Sequence, residues 1–152
     1  MNINHFKISA LIVVILTLFT RLYQLETIPP HLSNDEISIA YDAYSIARTG
    51  RDEHNHILPL SFQSHNTYKA PLYIYLTAPL TLILPNTITT ARLLSALVGS
   101  LTVILTGLLV FRLTSTHSLA LFSSAALALT PWHIFTSRLA LEANLALFFL
   151  IL

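Results

Sequence analysis

Apolar and charged positions separate into blocks along this chain. Windows free of Lys, Arg, Asp and Glu run over 8–20, 70–91, 93–111, 113–137 and 143–152. A helix that crosses a bilayer needs about 20 mainly apolar residues at a rise of 1.5 Å each. The pattern predicts transmembrane helices over 92–111 and 118–135, and the start of another at 143. The first window is short, but 8–25 spans if Arg21 snorkels to the interface beside Tyr23. The alternative, a cleaved signal peptide, lacks a small-x-small site after the apolar run. Ser95, Gly99 and Gly107 share one helical face, which suits close helix packing. Pro131-Trp132-His133 marks an exit at an interface.

The window 70–91 reads differently. Pro71, Pro79 and Pro85 bracket and interrupt it, leaving 71–84 as the continuous apolar piece. As a helix those residues reach only about 21 Å, against about 30 Å of hydrocarbon. A juxtamembrane or re-entrant helix is therefore expected. If 71–84 does not cross, the loop 26–91 and the segment 136–143 share one side of the membrane. If it crosses, they face opposite compartments, and the distribution of Lys and Arg leaves that choice open.

Between the first two spans the pattern turns amphipathic. Pro29-Pro30 precedes Ser33, which stands three residues before Glu36, the spacing of a capping box. Ile37, Ala40, Tyr41 and Tyr44 follow at helical spacing and Gly50 supplies a stop. A helix over 34–48, lying on the membrane surface, is predicted.

Composition agrees with a membrane protein. Of 152 residues 54% are hydrophobic and 10% charged, with a mean hydropathy of +0.67. Soluble domains carry about 25% charged residues, so a soluble enzyme, a disordered tail and a nucleic-acid binder are all disfavoured. The net charge of +1 offers no field to draw in nucleic acid. The absence of cysteine excludes disulfides, thiolate metal sites and a cysteine nucleophile. Ten of the fifteen charges, including six of the seven acids, lie between Arg21 and Lys69. The chemistry is therefore expected in the first loop.

Four places there and beyond carry candidate chemistry. Asp35 and Glu36 occupy a first helical turn, where the dipole favours carboxylates. If Glu36 closes the capping box, Asp35 is left to act as a base; the plainer reading is that both only cap the helix. Asp52, Glu53, His54 and His56 are metal-ligand candidates whose spacing matches no established pattern, and a solvated loop is the competing reading. His5, His31, His65, His117 and His133 are scattered. Lys69, between Tyr68 and Ala70-Pro71, suits an anionic headgroup or phosphate, or else an aromatic-belt anchor. Arg138 and Glu142 form an i, i+4 pair, as a structural salt bridge or as ionisable groups beside spans with a functional role.

The order of these segments resembles a known family. Pro29-Pro30 with Asp35-Glu36, Thr49-Gly50-Arg51-Asp52-Glu53, Tyr68-Lys69-Ala70-Pro71-Leu72-Tyr73, Arg92-Leu93 and Pro131-Trp132-His133 with Ser137-Arg138 are similar to the multi-spanning GT-C glycosyltransferases that use polyprenyl-phosphate sugars. These include the protein O-mannosyltransferases (glycosyltransferase family 39), lipid A aminoarabinose transferases and oligosaccharyltransferase catalytic subunits. The resemblance implies an all-α, polytopic membrane protein with a large extracytoplasmic first loop containing juxtamembrane helices. It also implies a site on the extracytoplasmic face of the plasma membrane, and that 71–84 does not cross. Tyr44, His65 and Ser137 would face that side and Thr116 the cytoplasm.

The resemblance implies inverting transfer from a polyprenyl-phosphate sugar to an acceptor hydroxyl on protein, lipid or glycan. Asp35 would be the catalytic acid of the first loop with Glu36 beside it. Lys69, with Arg138 as a second candidate, would stabilise the departing donor phosphate, and Lys69, Arg138 and Glu142 would together form the donor-binding wall of the same cleft. Many relatives carry aspartate where Glu142 stands. No cofactor is demanded, although a divalent cation would be compatible. The apolar run still open at Leu152 leads one to expect the N-terminal part of a longer chain, inactive alone. The rival readings are a non-catalytic protein that binds lipid-carrier headgroups or a transporter fragment, neither of which needs Asp35, and a purely structural anchor.

Overall fold

The computed structural model describes residues 3–64 and 68–152; His65 lies outside them. Its helices are α1 (Ile3–Leu22), α2 (Asn34–Thr49), α3 (Pro71–Ile83), α4 (Ile88–Thr114), α5 (His117–Leu129), α6 (Pro131–Ser137) and α7 (Glu142–Ile151). A short antiparallel hairpin, β1 (Phe62–Gln63) with β2 (Tyr68–Lys69), precedes α3 and pairs Phe62 with Lys69. α1 and α4 are long and apolar enough to cross a membrane, and α5 with α6 qualifies if that bent pair is one span.

Local sequence explains the boundaries. Ser33 and Glu36 form a complete capping box at the start of α2, and Gly50 ends the helix in the left-handed conformation at φ 69°. The Thr87 hydroxyl accepts from the Thr90 N–H at the start of α4. The expected single helix over 118–135 breaks instead. Pro131 has no N–H to continue α5 and holds Thr130 extended, so α6 leaves at 64°.

α4 is the central post, against which α1, α5, α6 and α7 all pack. Its small residues make the close approaches. Gly99 faces Ser137 and Asn144, Gly107 faces Ser124, and Asn144 Nδ2 donates to the Ser95 carbonyl at 2.8 Å. Ser137, expected to be accessible, is fully buried at this contact. Arg21 also departs from expectation. It does not snorkel but turns inward, completely buried, with Nη2 2.7 Å from His133 Nδ1 and Nη1 donating to the Thr17 carbonyl. A lone arginine inside apolar surroundings needs such partners, and the imidazole and carbonyls of the bundle supply them.

The polar loop forms a cap over one end of this bundle. Arg92, one turn into α4, donates to the carbonyls of Leu25, Pro29 and His31. The N–H of Ala140 donates to Glu36 Oε1 at 2.9 Å. The loop after α1, the start of α4 and the turn before α7 therefore meet at the same end. α3 lies within this cap. The Tyr73 hydroxyl donates to the Ala91 carbonyl, and Pro85, just past its C-terminus, accepts from the Thr90 hydroxyl. Hydrogen bonds near both ends of α3, which is about 20 Å long, thus tie it to the first turn of α4.

The face of α2 that packs on α3 carries Glu36, Ile39, Asp42, Ala43 and Ile46. Ile37, Tyr41 and Tyr44, read from the sequence as the apolar face, are exposed. Ile39, Ala43, Ile46, Phe62, Tyr73, Ile74 and Ala78 make the core of the cap, which continues through Ala91 and Ala140 into the bundle.

A Cβ at position 99 would stand 2.1 Å from Ser137 Oγ and 2.6 Å from its Cβ, far inside contact distance. Gly99→Ala should therefore lose about 1–3 kcal/mol by overpacking. Gly107→Ala should lose less, because the nearest atom, Ser124 Cβ, is 3.2 Å away. Unfolding in detergent checks this; equal stabilities would contradict the close approach of α4 and α6.

Candidate active site

Two adjacent carboxylates begin α2, and helical geometry sends them to different surroundings. Glu36 points inward and is 1% exposed. Its oxygens accept from Arg92 Nε at 2.9 Å, Arg92 Nη2 at 3.3 Å, the Ser33 N–H at 3.0 Å and the Ala140 N–H. Burial alone would raise its carboxyl, but the Arg92 hydrogen bonds and the two backbone donors hold it below the ordinary range. Asp35, one residue earlier, is exposed and makes no hydrogen bond or ion pair among the described residues.

Asp35 opens onto a cleft of about 370 Å³, lined also by Tyr68, Lys69, Leu141, Glu142 and Ala143. Three elements converge there: the first turn of α2, the hairpin and the first turn of α7. The Glu36–Ala140 hydrogen bond holds the turn before α7 against α2, which sets Glu142 across from Asp35. Asp35, Lys69 and Glu142 are thus brought together.

Lys69 is almost fully buried, and its Nζ donates to Ser38 Oγ and lies 3.9 Å from Asp42 Oδ2. Asp42 was not among the sequence candidates. Burial pushes its carboxyl up to about 6, with the charges of Glu53 and Asp52 adding to the rise; the Glu53 N–H and Lys69 offset only part of it. The signal was present in the sequence, since Asp42 lies three residues after Ile39 and four before Ile46, on the stripe that α2 buries. A second cavity of about 500 Å³ is lined by Ser38 together with Asn34, Tyr41, Glu53, His54 and Gln63.

Arg138 is not at the cleft. Its guanidinium donates to the carbonyls of Thr20, Tyr23, Gln24 and Ile28, closing the C-terminal end of α1. It makes no salt bridge with Glu142, because α6 has ended and a turn separates the two residues. The four metal-ligand candidates are likewise engaged in local structure. Asp52 accepts from the N–H groups of His54 and His56 and lies 3.0 Å from His56 Nδ1. Burial raises the Asp52 carboxyl, but the His56 and backbone hydrogen bonds outweigh it, leaving a net lowering. Glu53 accepts from the Ser38 hydroxyl at 2.9 Å. Among the described residues no three His, Asp or Glu side chains are grouped to hold a metal.

These features define a mainly helical integral membrane protein in which a folded polar cap holds a carboxylate-and-lysine cleft. The chain belongs to the dolichyl-phosphate-mannose-protein mannosyltransferase family, whose model matches residues 11–152. It is thereby placed among membrane glycosyltransferases that use a polyprenyl-phosphate sugar as donor. No curated protein and no solved structure matches it.

Breaking a buried pair by neutralising one partner typically costs about 3–5 kcal/mol. Glu36→Gln should lose stability of that order, whereas Asp35→Asn, at an exposed position, should stay within about 0.5 kcal/mol of the parent. Because the Glu36 carboxyl is lowered in the fold, its contribution is present above the ordinary carboxylate value and lost as pH falls below it. Thermal unfolding across acid pH should show that loss in the parent and a flattened profile in Glu36→Gln.

Proposed function

We propose that the cleft is the acceptor-activating side of an inverting glycosyl transfer from a polyprenyl-phosphate sugar. The observation that carries this reading is the convergence of Asp35, Lys69 and Glu142 on one cavity from three separate elements. Asp35, exposed and unpaired, takes the proton of the acceptor hydroxyl as its oxygen attacks the anomeric carbon. The bond to the donor phosphate breaks on the opposite face of the sugar, and the phosphate departs with the electron pair. Lys69 stabilises that leaving anion. Glu142 orients the acceptor from across the cleft. Glu36 holds the site together, and Arg138 supports it from the end of α1. The reaction is placed on the extracytoplasmic face, with the acceptor on protein, lipid or glycan.

In the complete protein, Asp35→Asn should lower turnover by about 10²–10⁴-fold, the usual contribution of a general base, with little change in donor binding. Retained turnover in Asp35→Asn would exclude this residue as the base. Topology is testable because the chain has no cysteine. Single cysteines replacing Tyr44 and Ala143, both exposed, should react with an impermeant thiol reagent from outside the cytoplasm. A cysteine at Thr116, at the opposite end of the bundle, should react only from the cytoplasm. Labelling of Tyr44 and Ala143 from opposite sides would dismantle the shared cleft.

A further inference from the structure

Asp42 has no part in the reaction just described, yet it is an acid completely buried in the cap. Oδ1 accepts the Glu53 N–H at 3.0 Å, while Oδ2 has no hydrogen bond among the described residues. A buried carboxylate left half-bonded is unfavourable in itself. What faces the open oxygen is the Lys69 ammonium at 3.9 Å. The charged groups around Asp42 are Lys69 from β2 and Glu53 and Asp52 from the loop after α2. α3, packed along α2, contributes only Tyr73 and Tyr75 as titratable groups, and their hydroxyls donate to the Ala91 and Pro59 carbonyls.

We propose that Asp42 is the positioning residue that presents the Lys69 ammonium to the donor phosphate. This rests on the assignment of Lys69 to that phosphate. An ammonium has three N–H donors. Here one is directed to Ser38, and the Asp42 contact is too long to be a hydrogen bond, so it orients the ammonium by charge alone. The remaining donors stay available to phosphate oxygens in the cleft that Lys69 lines. Ser38 is itself fixed by its bond to Glu53, so the lysine stem, the hydroxyl and the carboxylate form one built device. A neutral Asp42 no longer opposes the ammonium, and the lysine loses the charge that aims it.

The pH dependence follows from the same geometry. A polyprenyl-phosphate hexose is a phosphodiester and stays anionic through mildly acid pH, so a change in its binding there reports on the protein. Asp42 takes up its proton near pH 6. Donor affinity should therefore fall as pH drops through that value. Stability moves the other way: a raised carboxyl favours the fold while protonated, and that contribution is lost as pH rises through about 6. Asp42→Asn is for this reason not expected to unfold at pH above 7.

The test is donor binding, measured directly without acceptor from about pH 5 to about pH 8, beside steady-state kinetics of the complete protein in detergent. The parent should show weakening below about pH 6. Asp42→Asn should raise Kd and KM for the polyprenyl-phosphate hexose about tenfold at neutral pH, with a flat pH profile and a much smaller change in kcat. Asp42→Glu should recover part of the affinity and the acid limb. If Asp42→Asn does not fold, Ser38→Ala decides, and it should weaken binding mildly while keeping the limb. Unchanged or tighter binding in Asp42→Asn, or a parent whose binding ignores pH, overturns the role of Asp42. Loss of binding in Lys69→Met but not in Asp42→Asn overturns it while leaving Lys69 at the phosphate. A parent that binds no donor at any pH overturns both.

Discussion

Glu36 and Arg92 meet where the first loop, the central helix and the turn before α7 come together, and neither charge touches water. Removing two ions from solvent is strongly unfavourable unless every remaining lone pair and proton finds a partner. Here that condition is met. Glu36 accepts from Arg92, Ser33 and Ala140, and Arg92 spends its other donors on the carbonyls of Leu25, Pro29 and His31. The pair contributes little as a simple attraction. Its effect is to admit only the arrangement that satisfies all of these groups together, which holds an irregular polypeptide against the end of a helical bundle.

The cleft inherits its shape from that constraint. Successive residues on a helix point about 100° apart, and at the edge of the buried stripe of α2 that step carries Asp35 outward while Glu36 points inward. The same carboxylate holds Ala140, and Glu142 follows two residues later on the opposite wall. The hairpin adds Lys69 from a third direction, seated on the Ser38–Asp42 face of α2. A solvated carboxylate thus sits beside a buried cation on a backbone with little freedom to rearrange.

Much of this was legible in the residues, for reasons that differ from element to element. The apolar windows and the proline brackets of 71–84 act locally, through length and missing N–H groups, so they could be read without knowing any neighbour. Ser33, Glu36 and Gly50 likewise announce the ends of α2 through their own backbone chemistry. The inward face of α2 could not be read that way. It carries two apolar stripes, and only the presence of α3 decides that Ile39 and Ile46 are buried while Ile37 and Tyr41 are not. Long-range polar partners were also hidden. Nothing near Arg21 points to His133, 112 residues away, and the i, i+4 spacing of Arg138 and Glu142 suggested a pair that the intervening turn removes. Asp35, Lys69 and Glu142 had been linked only through the family resemblance, because spacing says nothing about distance across a fold.

The closure of α1 by Arg138 bears on how the protein is made. The last carbonyls of a helix have no intrahelical partners. In this chain the carbonyls of Thr20, Tyr23, Gln24 and Ile28 are satisfied by a guanidinium that follows them by between 110 and 118 residues. During synthesis α1 therefore emerges well before the residue that closes its end. The Gln24 carbonyl has local partners in the Thr27 and Ile28 N–H groups, but those of Thr20, Tyr23 and Ile28 lack the guanidinium until the turn before α7 has been translated. A nascent chain halted before that point leaves this seam between α1 and the turn before α7 open.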